Sequence, residues 1–432
     1  MSTRFAIIGG GASGTFVAAA LERAAERDER IDITLIERDG RTGPGLAYGA
    51  AESYHVLNSP AGKASAVTDD PNHFVDWAVA RGHDCEPTTF MPREVYGAYL
   101  CELVAGLGAS PHVTVTQVHA EAREILSDEL GVRVVLDDGR CIETDNVVLA
   151  VGNPPPYEQP ISDRVISGDG YIANPWDRER LLRIGRGQRV LILGTGLTMV
   201  DVAMTLHRMH PELPLVAASR AALLPHAHSA TPLVPGPGIP ESITDLDDVV
   251  AEFLRQMEEA ERAGGDWRSV VDGMRPQVAR IWKGFDGADQ ERFLAEFSRE
   301  WEVRRHRMAP QVHAEVEAMQ ASGHLTLRPL AEVDIDAFDV VINCTGARSV
   351  SARGWNPVVD GLLDSGLVRP DRHDLGLDLT PVGQCIGDDG EVNEWLYAVG
   401  PASKGTRWEC GAIPEIRADA DAVAASRVHV SA

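Results

Sequence analysis

The N-terminal stretch Arg4-Phe5-Ala6-Ile7-Ile8-Gly9-Gly10-Gly11-Ala12-Ser13-Gly14 is a strand followed by a glycine turn. Its first half is apolar without alternation, the mark of a strand buried on both faces of a parallel sheet. The strand runs straight into a G-x-G-x-x-G turn made by Gly9, Gly11 and Gly14. A helix is expected from Thr15 to Arg27, with Phe16, Ala19, Ala20 and Arg23 at helical spacing. A second strand, Ile33-Thr34-Leu35-Ile36, ends at Glu37-Arg38, with Glu37 lying 23 residues beyond Gly14. That spacing is the one a dinucleotide-binding βαβ unit uses. Gly9 permits the tight turn, Gly11 lets a pyrophosphate approach the backbone, and Gly14 lets helix and strand pack closely. The unsatisfied N–H groups at the helix start favour the diphosphate. Glu37 can accept hydrogen bonds from ribose hydroxyls. The first candidate cofactor set is therefore Gly9, Gly11, Ser13, Gly14, Glu37 and Arg38.

A second unit of the same kind begins at Gln188. Gln188-Arg189-Val190-Leu191-Ile192-Leu193 is a buried strand leading into Gly194-Thr195-Gly196-Leu197-Thr198-Met199, where Met199 stands at the third glycine position. A helix from Leu197 to Met209 and a strand Leu215-Val216-Ala217-Ala218 complete the unit. This strand ends in Ser219-Arg220 rather than in an acid. An arginine there suits a 2′-phosphate, which a carboxylate repels. The second candidate set is Gly194, Gly196, Thr198, Ser219 and Arg220, and the second nucleotide is expected to be NADPH rather than NADH. Two such units in one chain imply two dinucleotides, FAD in the first and a nicotinamide in the second, with a hydride passing between them. The expected fold class is α/β: two Rossmann-like dinucleotide-binding domains with a helical insertion.

Other strands set the expected boundaries. Val147-Val148-Leu149-Ala150-Val151-Gly152 ends in a proline-rich turn and reads as the crossover out of the first domain. Val340-Val341-Ile342-Asn343-Cys344-Thr345-Gly346 repeats that form and reads as the return. Trp395-Leu396-Tyr397-Ala398-Val399-Gly400-Pro401 reads as a last strand near the flavin. The flavin domain is thus expected to be discontinuous, 1–165 with 331–432; the NADPH domain is 166–240, and 241–330 is a helical insertion that caps the cleft or forms an oligomer surface. Within the insertion, Val250, Phe253, Leu254 and Met257 fit the apolar stripe of an amphipathic helix, and Phe293, Phe297, Trp301 and Arg304 continue similar spacing.

Composition narrows the class. The 432 residues are 44% hydrophobic and carry a net charge of −25, the balance of a globular chain whose surface repels nucleic acid and anionic lipid. No apolar run reaches the length of a membrane span, and the short run before Gly9 does not make a signal peptide. The six cysteines are scattered, with no Cys-x-x-Cys, so a zinc ribbon and a dithiol centre are not expected, and a reduced cytoplasmic protein is.

Further segments carry a resemblance. With the two glycine turns, Gly43-Pro44-Gly45-Leu46-Ala47-Tyr48-Gly49, His55-Val56-Leu57-Asn58-Ser59-Pro60-Ala61, Pro92-Arg93-Glu94-Val95-Tyr96-Gly97-Ala98-Tyr99-Leu100 and Ile413-Pro414-Glu415-Ile416-Arg417 resemble the FAD/NAD(P)-binding proteins that include flavin-dependent urate hydroxylase and aspartate N-monooxygenase. The resemblance implies a single-component flavin monooxygenase. NADPH reduces FAD, reduced FAD takes up O₂ as a C4a-hydroperoxide, and a small substrate attacks its distal oxygen. It also implies that Leu57 and Asn58 line the flavin ring, that Arg93 approaches FAD, and that Gly152 and Gly400 lie beside it. N-hydroxylation of an amino acid or amine is expected ahead of ring hydroxylation of urate or another purine. Two enzyme-free or simpler alternatives stand beside these: a flavin reductase or dehydrogenase serving a protein partner, and an FAD-binding regulatory protein without turnover. Disulfide reductases of the same plan need a cysteine pair at the flavin and an Asp after the last strand glycine, where this chain has Pro401.

Some residues are open to two readings. Lys63 and Lys404 are two of only three lysines and fall in loops assigned to the flavin, or are simply solvated. Arg304 and Arg305 could hold a substrate carboxylate or an anionic purine, or could face solvent beside Glu300 and Glu302. His226 and His228 lack a nearby acid or cysteine and read as loop, so no metal is expected. No catalytic residue is assigned, and Asp201 reads as structural.

Overall fold

A computed structural model describes residues 2–25, 29–129, 131–158 and 170–426. The chain divides into two compact units. The first comprises residues 1–153, 278–283 and 349–432, and the second residues 154–277 and 284–348. The principal helices in chain order are α1 (Ala12–Ala24), α2 (Gly45–Gly49), α3 (Arg93–Gly106), α4 (Leu197–Met209), α5 (Leu246–Arg262), α6 (Ser298–Arg305) and α7 (Ile413–Ser426). Helix α1 starts three residues earlier than the spacing predicts, at the glycine turn itself; the expected end at Arg27 lies outside the described residues.

The first unit is built on a six-stranded sheet. Its strands are β1 (Ser2–Ile8), β2 (Arg30–Glu37), β3 (Val113–His119), β7 (Asn146–Leu149), β13 (Gln384–Ile386) and β14 (Val392–Ala398), in the order β13-β14-β7-β1-β2-β3. All pairs are parallel except β13 with β14. A three-stranded antiparallel meander, β4 (Ala122–Asp128), β5 (Gly131–Leu136) and β6 (Cys141–Thr144), joins β3 to β7. The unalternating composition of β1 has a direct consequence. Phe5 and Ile7 enter the core shared with α1, α3 and α7, and Ala6 and Ile8 enter the core shared with β4, β5 and the helix over Pro357–Asp364. Both faces are covered, so a polar residue on either side of this strand would be buried without a partner.

The second unit repeats the plan with five parallel strands. They are β8 (Tyr171–Ile172), β9 (Val190–Leu193), β10 (Leu215–Ser219), β11 (Leu325–Pro329) and β12 (Val340–Asn343), in the order β11-β10-β9-β12-β8.

Three expectations need correction. Strand β12, assigned with residues 331–348 to the flavin domain, pairs with β9 in the second sheet. Its sequence, apolar throughout, fits the centre of either sheet equally, and only long-range pairing decides. The insertion is not a separate body: apart from residues 278–283 it belongs to the second unit. In α5 the buried residues are Leu246, Val249 and Gln256, whereas Leu254 is 52% exposed. Gln256 takes the inner position because its amide donates to the Gly238 carbonyl at 2.7 Å. The expected boundary at 165/166 lies outside the described residues.

Candidate functional site

Each of the two large sheets has one point where the chain leads away to strands on opposite sides, and a glycine turn sits at each. Strand β1 lies between β7 and β2, and β9 lies between β12 and β10. Ligands of open parallel sheets bind at such switch points, outside the carboxyl ends of the strands. The two turns are built alike. Gly9 has φ +108° and Gly194 has φ +102°. A Cβ on Gly9 would stand 2.2 Å from the Ala150 carbonyl oxygen, and one on Gly194 would stand 2.2 Å from that of Cys344. Gly9 N donates to Ile36 O at 2.9 Å, and Gly194 N donates to Ala218 O at 2.7 Å. The next helix begins with Thr15 N on Gly11 O in one unit and Val200 N on Gly196 O in the other.

Both turns also fit a diphosphate. Helix α1 is capped by Gly11 and α4 by Gly196, with no side chain on either cap and no acid in either first turn. Those helix starts therefore present backbone donors and a positive dipole end to whatever lies in front. Around Gly196 a Cβ would meet nothing within 4 Å, which leaves room for a ligand to close on the backbone. At Gly11 the neighbour is the backbone of Gly45, whose Cα would lie 3.4 Å from such a Cβ. Gly14 cannot carry a side chain at all, since its Cβ would fall 2.0 Å from Gly9 O.

The remaining residues of the first set lie in the first unit. Glu37 ends β2, and its two oxygens accept from Gly10 N at 2.8 Å and Asp39 N at 3.0 Å. The carboxylate thus shapes the turn and still has lone pairs for a ribose. Arg38 is exposed and 3.9 Å from Glu121. Gly400 follows β14, and its Cβ would come within 2.8 Å of the Ser13 hydroxyl, so the last strand does arrive beside the glycine turn. Gly152 has φ +73° with open space around its Cα. The segment around Leu57 pairs with the start of α3: Leu57 N donates to Met91 O, Arg93 N to His55 O, and Arg93 Nε to Val56 O at 3.0 Å. Leu57 itself is buried, and Asn58 is half-buried.

Behind Gly400 lies a polar core that sequence reasoning missed. The buried carboxylate of Asp419 on α7 accepts from the Ser403 hydroxyl, and that hydroxyl also donates toward Gly400 O at 2.8 Å. Burial pushes the Asp419 carboxyl up to about 6, against the opposing pull of Arg407 and Ser403. Arg407 Nε stands 2.8 Å from Oδ1, but that oxygen has no aligned hydrogen bond, so burial prevails. Lys404 packs over the Trp408 ring at 5.0 Å, so it is not simply solvated.

In the second unit, Thr195, Ser219 and Leu223 close the turn after β10. Thr195 Oγ1 donates to Leu223 O at 2.6 Å and lies 2.8 Å from Ser219 Oγ; Ser219 Oγ in turn accepts from Ala222 N at 3.1 Å. Arg220 is exposed, and no ion pair holds it among the described residues. Thr198 is half-buried in the first turn of α4, and Met199 is fully buried, filling the space a third glycine would leave. Arg299 of the insertion also reaches this turn, donating to Leu223 O at 2.8 Å and Thr195 Oγ1 at 3.3 Å. No spacing in the sequence pointed to it.

The remaining candidates do not converge. Arg304 pairs with Glu300 one turn earlier, and Arg305 is buried, so α6 does not offer the two guanidiniums on one face. Backbone bonds hold the loop at His226 and His228 through an Ala227–Met308 bridge, and no metal-binding cluster occurs among the described residues. All six cysteines are free, and burial raises the thiol pKa of Cys344, Cys385 and Cys410, Cys410 to about 12. Asp201 is buried in α4. No helix among the described residues is long and apolar enough to cross a membrane.

Comparison with known proteins agrees with this geometry. Residues 6–154 match the FAD-NAD(P)-binding family. No curated protein matches the chain. Among solved structures, the chain resembles an ornithine N-hydroxylase from Kutzneria sp. 744, with a TM-score of 0.65 at 13% identity over 100% of both chains. It resembles an L-lysine 6-monooxygenase from Pseudomonas syringae equally, with a TM-score of 0.65 at 15% identity and the same full coverage. A bacillithiol disulfide reductase from Bacillus cereus follows with a TM-score of 0.55 at 14% identity, again over 100% of both chains. The α/β fold with two parallel-sheet units is therefore shared with monooxygenases and with a disulfide reductase.

Proposed function

We propose that this protein is an FAD- and NADPH-dependent monooxygenase that hydroxylates the nitrogen of a small polar amine or amino acid. The observation that carries the proposal is the duplicated glycine turn: two switch points of equal geometry, one followed by Glu37 and the other by Arg220. A carboxylate at the strand end selects a dinucleotide with free ribose hydroxyls, and an arginine selects one bearing a 2′-phosphate. The first turn then suits FAD and the second NADPH.

Bound together, the nicotinamide supplies a hydride and the flavin supplies two-electron and O₂ chemistry. This chain's residues do the rest. Gly9, Gly11, Ser13 and Gly14 admit the FAD diphosphate to the start of α1, Glu37 orients its ribose, and Arg38 lies at the same strand end. Leu57, Asn58 and Arg93 line its ring side, while Gly152 and Gly400 let the backbone approach. Gly194, Gly196 and Thr198 do the same for NADPH at α4, with Ser219 fixing the turn that carries Arg220. Two of the solved proteins this chain resembles are an ornithine N-hydroxylase and an L-lysine 6-monooxygenase. The absence of a cysteine pair argues against the disulfide-reductase chemistry of the third.

The test uses the purified flavoprotein. NADPH should bleach the flavin without oxygen. On admitting O₂, consumption of NADPH and O₂ should rise on addition of one of ornithine, lysine, cadaverine or aspartate, with a hydroxylamine product. Urate consumption instead would move the assignment to ring hydroxylation. Immediate release of free hydrogen peroxide with every substrate would leave a reductase, and a flavin that NADPH does not reduce would remove both enzymes.

A further inference from the structure

At the end of β10 the hydroxyls of Thr195 and Ser219 have no proton to spare. Thr195 spends its single O–H on Leu223 O at 2.6 Å, so it can only accept from Ser219 and from Arg299. Ser219 must therefore spend its own proton on Thr195, and it accepts from Ala222 N at 3.1 Å. A hydroxyl has one donor and two acceptor positions. Thr195 is saturated and Ser219 keeps only an acceptor, which a phosphate oxygen cannot use. The turn itself is fixed, because Ala222 is held at φ +50°, a region that alanine seldom adopts. Charged side-chain donors for an anion at this strand end must come from its arginines.

Two guanidiniums are placed there. Arg220 directly follows Ser219. Arg299, 104 residues from Thr195 in sequence, arrives from α6 and is joined to Ser219 through Thr195. Its Nη2 atom serves Leu223 O and Thr195 Oγ1, and its Nη1 lies 3.7 Å from Glu302 in a half-exposed pair. A guanidinium has five N–H donors, so the contacts through Nη2 leave donors on Nε and Nη1. Immediately before α6 the insertion forms a turn of π-helix over Phe293–Phe297, a wider coil that recurs at functional sites.

We propose that Arg299 is a second cation of the 2′-phosphate site, so that the helical insertion serves nucleotide selection. This rests on the reading of the second turn as the NADPH site. The inference assigns Ser219 and Thr195 to positioning: their hydrogen-bond chain holds both arginines in place rather than touching the phosphate.

The experiment reads binding alone. Adenosine 2′,5′-bisphosphate and 5′-AMP differ by the 2′-phosphate alone and are titrated calorimetrically into the flavin-loaded protein at fixed salt. The unaltered protein should prefer the bisphosphate by about a hundredfold, the product of two charge-assisted contacts of about tenfold each. Arg299→Gln keeps an amide donor for Leu223 O and removes the charge; it should lower that preference about tenfold and leave 5′-AMP affinity unchanged. Arg299→Lys should keep part of the preference, and Arg220→Ala should lose a similar share to Arg299→Gln. The salt dependence of bisphosphate binding should flatten in Arg299→Gln. If Arg220→Ala loses the preference and Arg299→Gln keeps it, Arg299 only buttresses the turn and the inference is overturned while the NADPH reading stands. An equal loss of both ligands in Arg299→Gln also overturns it. A protein that does not distinguish the two nucleotides at all refutes the NADPH reading itself, and the inference with it.

Discussion

Substituting the two glycines of the second turn separates ligand binding from folding, because Gly194 and Gly196 are glycine for different reasons. At Gly196 the backbone has φ −87° and ψ −169°, which alanine adopts without strain, and its Cβ would meet nothing within 4 Å. Gly196→Ala loses about 0.5–1 kcal/mol of helix-cap preference and regains a similar amount by restricting the unfolded chain. The fold should therefore change by less than about 0.5 kcal/mol. The new methyl group stands where a diphosphate must close on the backbone, and a displacement of that contact should weaken NADP⁺ about 10- to 100-fold, or about 1.4–2.7 kcal/mol. Gly194 is the opposite case. With φ +102° and a Cβ 2.2 Å from Cys344 O, Gly194→Ala must strain the turn and push β12 aside. The cost is on the order of 3 kcal/mol, enough to lower the melting temperature of a unit this size by about 6–12 °C. Calorimetric titration with NADP⁺ and thermal melting of the flavoprotein measure the two effects. Unchanged NADP⁺ affinity in Gly196→Ala would refute the ligand role of this turn, whatever Gly194→Ala does.

Two further perturbations test the polar interiors. For Asp419, burial raises the folded-state pKa to about 6 from an ordinary 3.8, so the folded protein holds a proton there that the unfolded chain releases. The stability this contributes is complete below about pH 3.8 and is lost as pH rises through 6, reaching about 3 kcal/mol by neutrality. The stability of Asp419→Asn relative to the unaltered protein should thus rise between pH 5 and 8; a flat difference across that range in melting experiments contradicts the burial argument. Arg307 is 3% exposed and paired with Asp272, and burial pulls its pKa down despite that partner. Arg307→Met leaves the Asp272 carboxylate without its cation and should cost about 3–5 kcal/mol in urea unfolding, most of it recovered when Asp272→Leu is added. A single substitution costing under 1 kcal/mol would show that the pair is effectively solvated.

How far the sequence reveals these features depends on how local their causes are. Gly9 and Gly194 were legible because the turn, the strand before it and the helix after it are contiguous, and each constrains the others. Glu37 and Arg220 were legible because strand length fixes where β2 and β10 end. The membership of β12 was not: Val340-Val341-Ile342-Asn343 satisfies the interior of either sheet, and its pairing with β9 joins residues some 150 apart. The inner face of α5 was misjudged because hydropathy ranks Leu254 above Gln256, while one amide bond to Gly238 reverses the order.

Arg299 shows the same limit at the site. In sequence it is one arginine among the charged residues of α6, indistinguishable from Arg304, which pairs with Glu300. What separates them is only visible in space: Arg304 faces an acid on its own helix, whereas Arg299 faces the carbonyl of Leu223 and the hydroxyl of Thr195. Both of those partners are acceptors, so they hold the guanidinium without cancelling its charge. Glu302, the acid near Arg299, is half-exposed at 3.7 Å, and an exposed pair of that kind contributes at most about 1 kcal/mol. A cation held by neutral acceptors and weakly opposed by one solvated carboxylate retains most of its attraction for an incoming phosphate. In a chain of net charge −25, where long-range attraction for an anionic cofactor is lacking, nucleotide selection then falls to such local, pre-positioned cations.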